Sequence, residues 1–266
     1  MCSLKGGVGK TSVVLGLASA ALAAKVPTLV VDLDPQGDAT TALDVTEPPA
    51  SHVAMVLDRP SAEIVRSAVG PSSWSRDWPG SRLDVLVGSP DAARHDHPYP
   101  SATALGRLRS ALSRTEGYDL VLIDCPPSLG GLTRTGLVAS QRALVVTEPG
   151  LFALQAADRV LATIDIVRKD HAPDLQPLGI IANRVRSRTT EHAFRLEELA
   201  SMFGPLFLNP FIPERAAVQQ AQGALGPIHG WPSAGAREMA QRFDALLARA
   251  LRAPAARVRG ESGATR

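Results

Sequence analysis

The segment Lys5-Gly6-Gly7-Val8-Gly9-Lys10-Thr11-Ser12 constrains this chain more than any other, because its three glycines lie between two lysines and run straight into an alanine-rich apolar stretch. Glycines let successive backbone N–H groups converge on an anion, and the N-terminus of the following helix adds a favourable dipole. The expected ligand is phosphate, cradled by Gly6, Gly7, Val8, Gly9, Lys10, Thr11 and Ser12. Lys10 is spaced to reach the outer phosphates, and the Thr11 hydroxyl to ligate Mg²⁺. A strict phosphate loop carries glycine five positions before Gly9; this chain has Leu4 there, with Lys5 beside it.

Downstream, residues 12–24 have helical spacing in Val13, Leu17, Ala21 and Ala24. Residues 28–31, 120–123, 143–146 and 178–182 are short apolar runs without polar alternation, as in strands covered on both faces, and 83–87 is a further expected strand. Helical patterns near 102–115, 153–168 and 190–202 alternate with them, and 47–80 reads as connecting turns around one helix near 61–69. A last helix over 237–251 has Phe243, Leu246, Leu247 and Leu251 as its inward stripe. The expected fold class is α/β: a mostly parallel twisted sheet with helices on both faces, the three-layer α/β/α arrangement of a P-loop NTPase. One domain is expected over 1–252, followed by a disordered, arginine-rich tail over 253–266.

The 28 basic and 26 acidic residues leave a net charge of +2, so any nucleic-acid surface must be local. Cys2 and Cys125 have neither disulfide nor metal spacing, which points to a cytoplasmic chain. Lys5, Lys10 and the alanine-rich run could pass for a secretory signal, but the same residues serve as the helix after a phosphate loop. Lys25 and Pro27 interrupt that run before it could span a bilayer. His95-Asp96-His97 lacks a third ligand at metal spacing and reads as a solvated loop. Only Met1 to Leu4 precede the phosphate loop, where a central strand is expected, so either the start lies upstream or that strand is severely shortened.

Two strands end in carboxylates, at the sheet edge where α/β folds bind ligands. Asp124 closes the run 120–123 and is positioned to hold Mg²⁺ through water, since Mg²⁺ keeps much of its hydration shell where few carboxylates bind it. Asp32 and Asp34 alternate after 28–31, so in an extended segment both would face one site.

Lys-Gly-Gly-x-Gly-Lys-Thr resembles the deviant phosphate loop of the ParA/MinD group of ATPases. Residues 30–40, with Asp34-Pro35-Gln36-Gly37, are similar to a segment of ParA partition ATPases, with Asp38 where asparagine is usual. Asp124-Cys125-Pro126-Pro127-Ser128 and the stretch from Glu148-Pro149 to Leu154 look like further parts of that family. The resemblance implies ATP and Mg²⁺ as ligands and slow, partner-stimulated hydrolysis. It implies Lys10, Thr11, Asp34 and Asp124 around phosphate and metal, with Asp34 orienting the attacking water. It further implies Lys5 reaching the partner's nucleotide across an ATP-dependent homodimer, and Asn183 and Pro213 beside the adenine.

DNA binding without sequence preference is implied through Arg186, Arg188 and Arg215. Arg184, Arg186 and Arg188 alternate, so an extended loop would present them as one positive edge; a solvated arginine cluster is the other reading. The implied partner is a ParB-like centromere-binding protein, the implied setting the nucleoid, and no membrane is expected. The rival readings are a MinD-like ATPase acting on membranes or cargo and a nucleotide-dependent synthetase of the same superfamily.

Overall fold

The computed structural model describes residues 1–252, so the tail expected over 253–266 lies outside the described residues. The strands are β1 (Thr28–Asp32), β2 (Val69–Pro71), β3 (Leu83–Leu86), β4 (Leu120–Asp124), β5 (Arg142–Thr147) and β6 (Gln176–Ala182). The helices are α1 (Lys10–Ala23), α2 (Asp38–Ala42), α3 (Val53–Asp58), α4 (Ala62–Ser67), α5 (Ala102–Leu112), α6 (Gly131–Val138), α7 (Ala153–Asp170), α8 (Thr190–Phe203), α9 (Ala216–Gly223) and α10 (Ala234–Arg252).

β3, β1 and β4 lie parallel in the order β2-β3-β1-β4, with the short edge strand β2 antiparallel to β3. β5 and β6 form a second parallel pair. Residues 1–4 stand between the two pieces. The Met1 nitrogen donates to Ile123 O at 2.6 Å, while Cys2 N donates to Leu144 O and Val146 N to Cys2 O. Ahead of the loop, Cys2 forms an isolated parallel bridge with Val145, at the position where a central strand is expected. On the far side of β6, Leu208 N and Ile212 N donate to Ile180 O and Ala182 O, which carries Pro213 to the same sheet edge.

The parallel architecture agrees with the sequence pattern, but 47–80 holds more than one helix. Both α3 and α4 occur there, and the stretch runs out into β2. These elements are three to six residues long, too short for a period to emerge. In the loop 95–97, Asp96 Oδ1 accepts from Leu132 N at 3.0 Å and so caps α6, whose own N-cap residue, Gly130, has no side chain.

α1 is buried almost all round, not along one stripe: Val13, Val14, Leu17, Ala18, Ala20, Ala21 and Leu22 are all inaccessible. Such a helix belongs in the middle of a core. Sheet residues Val30, Val85 and Leu122 pack with it on one side, and Met239, Phe243, Leu246 and Leu247 of α10 on the other. Leu251 does not join that stripe; it is 46% exposed in the final turn. The buried hydroxyl of Ser19 accepts from His229 N at 3.2 Å and meets His229 Nδ1 at 2.7 Å. An ionised Asp244 can only accept, so His229 Nε2–H donates to its Oδ1 at 3.1 Å, and in the neutral imidazole Nδ1 then accepts from the Ser19 hydroxyl.

The closest fit in this core is Gly16 against the Phe243 ring, where an added Cβ would lie 2.2 Å from Cζ. Gly16→Ala is expected to lose about 1–3 kcal/mol in urea or thermal melts, despite the better helix propensity of alanine. Combining it with Phe243→Leu should cost less than the sum of the two single changes; strict additivity would show that the ring and the glycine do not compete for space.

Candidate active site

The loop ahead of α1 turns through left-handed glycines, Gly7 at φ 77° and Gly9 at φ 82°. Gly9 caps α1 without a side chain, and the first turn of the helix carries no carboxylate. Its leading N–H groups therefore find no side-chain acceptor, the arrangement that suits an anion. Lys10, buried at the head of α1, brings its ammonium to the same end. From behind, Asn183 Nδ2 donates to Val8 O at 2.8 Å and the Arg184 guanidinium donates to Gly7 O. Asn183 and Pro213 meet in a narrow cleft with Ser12 and Ile212. Asn183 thus stands beside the loop, but its amide nitrogen is already committed to holding it, a bond that residue spacing cannot reveal.

Thr11 Oγ1 donates to Asp124 Oδ2 at 2.7 Å, so the hydroxyl of α1 and the carboxylate of β4 are in direct contact. The other oxygen, Asp124 Oδ1, is buried and has no hydrogen-bond partner among the described residues. A buried carboxylate oxygen left without a donor is costly, and a divalent cation beside a threonine hydroxyl satisfies it. Thr11 and Asp124 therefore fit Mg²⁺. Asp34, half-buried, adds negative charge near Asp124, and its Oδ1 accepts from Gln36 N at 3.0 Å.

Asp32 and Asp34 differ in exposure: Asp34 is half-buried at the head of a turn, with Gly37 N donating to Asp34 O at 3.0 Å. Asp32 is fully buried, and its oxygens accept from Asp34 N, Thr40 N and Thr40 Oγ1. Thr40 went unnoticed in the sequence as a functional partner, because it lies eight positions beyond Asp32, across a turn and in the next helix.

Lys5 is exposed and makes no ion pair among the described residues. It lines a 340 Å³ cavity with Val8, Glu148, Leu151, Phe152 and Val160, apart from the Thr11–Asp124 contact. Leu151 and Phe152 are 63% and 64% exposed at its rim.

The arginines do not form the expected edge. Arg184 adopts φ 55° and turns onto the loop, and a turn at 187–188, with Thr189 N donating to Arg186 O, ends the extended backbone. Arg186 pairs with Glu214 at 2.6 Å, and Arg215 with Glu238 at 2.7 Å. Arg188 is exposed and carries no ion pair among the described residues.

Burial lifts Asp124 to about 6 and Asp32 to about 7, each from 3.8. Both groups hold a proton more tightly folded than unfolded, so their contribution favours folding below about pH 4 and is lost as pH rises through 6 and 7. The metal-free, nucleotide-free protein is expected to lose thermal stability between about pH 4 and about pH 7, and Asp124→Asn to reduce that loss. An equally steep decline in the variant would mean that Asp124 is not the titrating group.

Residues 1–177 match the family model described as an AAA domain. The Soj chromosome-partitioning ATPase of Thermus thermophilus is 32% identical over 252 residues, covering 94% of each chain. The ParA chromosome partitioning protein of Myxococcus xanthus is 30% identical over 229 residues, covering 84% of this chain and 77% of that one. Among solved structures, cobyrinic acid a,c-diamide synthase from Mycobacterium smegmatis with bound ADP and magnesium aligns with a TM-score of 0.72 at 30% identity, covering 92% of this chain and 91% of that one. A helix N-terminus built for phosphate, a buried carboxylate built for magnesium and this degree of kinship lead to one conclusion: the chain belongs to the ParA family and is an ATPase that works on ATP with Mg²⁺.

Proposed function

We propose that the protein forms an ATP-bound homodimer that holds DNA without sequence preference, and that hydrolysis releases it, so that plasmid or chromosome DNA is segregated or positioned. The observation that carries this reading is the exposed Lys5 beside the exposed Leu151 and Phe152. A lysine that belongs to the phosphate loop yet faces outward, next to uncovered apolar surface, suits a second subunit. The names of the Myxococcus and Thermus relatives, both chromosome-partitioning proteins, support the cargo.

In this reading the loop backbone and Lys10 hold the phosphates, with Ser12 behind them. Thr11, Asp124 and Asp34 surround Mg²⁺, which neutralises charge on the phosphates when bound. Asp34 orients the attacking water, Lys5 reaches the partner's nucleotide, and Asn183 and Pro213 flank the base. Arg188 contacts DNA phosphate directly. Arg186 and Arg215 exchange their carboxylate partners for phosphate, a small cost because exposed ion pairs contribute at most about 1 kcal/mol. A ParB-like centromere-binding protein stimulates hydrolysis, and the nucleoid within the cytoplasm is the place of action. The domain responsible is 1–252.

Two other readings are weaker. The apolar residues Met239, Phe243, Leu246 and Leu247 of α10 are buried, which disfavours that helix as the membrane-binding face of a MinD-like surface cycle. A synthetase is favoured by the likeness to the Mycobacterium smegmatis enzyme, but leaves Lys5 and its apolar neighbours unexplained.

Asp34→Ala is expected to lower ATP turnover by about tenfold or more while an ATP-bound dimer persists on size exclusion. Lys5→Ala should remain monomeric with ATP. Unchanged turnover in the first variant, or a normal dimer in the second, would contradict the assigned roles. Arg188→Glu should weaken ATP-dependent binding to arbitrary duplex, and wild-type binding should fall steeply with salt; no binding at low salt would remove DNA from the reading.

A further inference from the structure

We infer that Asp32, Thr40 and Gly88 form a three-segment clip whose task is to position Asp34, and that Asp32 is a positioning residue and not a group that acts on ATP or water. The inference rests on the reading of Asp34 as the water-orienting carboxylate. Asp32 is the last residue of β1 and lies in register with Asp124 on β4, so it stands at the sheet edge that carries the chemistry. A carboxylate there invites assignment to the metal or the attacking water. Its hydrogen bonds say otherwise.

Oδ1 accepts from Asp34 N at 3.2 Å, and Oδ2 accepts from Thr40 N at 2.8 Å and from Thr40 Oγ1 at 2.7 Å. The Thr40 N–H lies in the first turn of α2, where no intrahelical acceptor is available, and the N-cap residue Gly37 has no side chain to offer. Asp32 supplies that acceptor from the strand. Thr40 Oγ1 accepts in turn from Gly88 N at 2.8 Å, two residues past the end of β3. One carboxylate thus ties together the end of β1, the start of α2 and the loop after β3.

The loop carrying Asp34 leaves Asp32 and returns to Thr40, and the clip closes both of its ends. Gly88 is fitted to this arrangement: a Cβ there would lie 2.9 Å from both Cγ and Oδ2 of Asp32. With its oxygens engaged by three donors and its side chain fully buried, Asp32 has no free edge for substrate. What it controls is the backbone from which Asp34 projects. Small displacements of a water-orienting group lower the rate of the chemical step far more than they weaken nucleotide binding.

The test uses the full chain with Mg²⁺ and ATP, reading turnover, affinity for a fluorescent ATP analogue and melting temperature. Thr40→Val removes the hydroxyl at nearly constant volume and breaks its links to Asp32 and Gly88, while the Thr40 N–H bond to Asp32 stays. It is expected to lower kcat about tenfold or more, with nucleotide affinity changed by less than about threefold. Thr40→Ser, which keeps the hydroxyl, should recover turnover to within about threefold of the parent. Gly88→Ala, which leaves every polar group of the clip in place but crowds Asp32, should reproduce the loss in kcat.

Thr40→Val and Gly88→Ala turning over normally, with only the melting temperature lowered, would reduce the clip to a structural brace and overturn the inference. Loss of hydrolysis in Asp32→Asn alone, with both other variants normal, would make Asp32 a group that acts directly and would overturn it equally. Asp34→Ala is the control that separates the two levels. If it hydrolyses ATP normally, the reading beneath the clip fails; if it is inactive while Thr40→Val is not, the clip fails by itself.

Discussion

A helix N-terminus with no side chain to satisfy it is the interaction on which the rest depends. The leading N–H groups of α1 need acceptors, and Gly9 and a first turn without carboxylates provide none. In most helices a serine or aspartate would fill that role. Here the donors are kept available for phosphate, and the surrounding fold holds them in place. α1 is buried along nearly its whole length by the sheet and α10, so its end cannot shift to find solvent. Asn183 and Arg184 hold the loop backbone from behind, which spends two polar side chains on carbonyls that would otherwise be unpaired.

Charge is handled differently on the two sides of this loop. On the inner side, Asp124 is buried with one oxygen bonded to Thr11 and the other without a donor, an arrangement whose cost is relieved by a cation. Asp32, adjacent in register, accepts three hydrogen bonds from the chain itself, which offset part of the same cost although burial still lifts it to about 7. Two neighbouring aspartates thus serve opposite ends: one is held ready for an external partner and the other is fully consumed in holding the backbone. On the outer side, Lys5 and the apolar pair Leu151 and Phe152 remain uncovered.

The basic residues past β6 illustrate how little a one-dimensional charge pattern fixes. Three arginines at alternate positions suggested one edge, but a left-handed turn at Arg184 and a reverse turn at 187–188 send them to different partners. Glu214 and Glu238, which neutralise Arg186 and Arg215, come from the segment beyond β6 and from α10. Glu214 arrives beside Arg186 because residues 207–213 run along β6 and Glu214 N then donates to Val185 O.

The sequence by itself determined the chemistry available and the class of fold. Glycine spacing set the phosphate loop, since only residues without Cβ turn through φ 77° and 82° with ease, and unbroken apolar runs set the buried parallel strands. It identified Lys10, Thr11, Asp34 and Asp124 as the polar groups at strand and helix ends. It missed α3 and β2, because elements of six and three residues carry no period, and it gave Leu251 an inward role that the last turn of α10 does not support. Only the tertiary structure decided which carboxylate is open and which is spent, where Asn183 points its amide, and that Lys5 lines a cavity separate from the Thr11–Asp124 contact. The reason is physical: those outcomes depend on hydrogen bonds between residues eight to 175 positions apart, and such pairings exist only once parallel strands have brought their C-terminal ends to one edge.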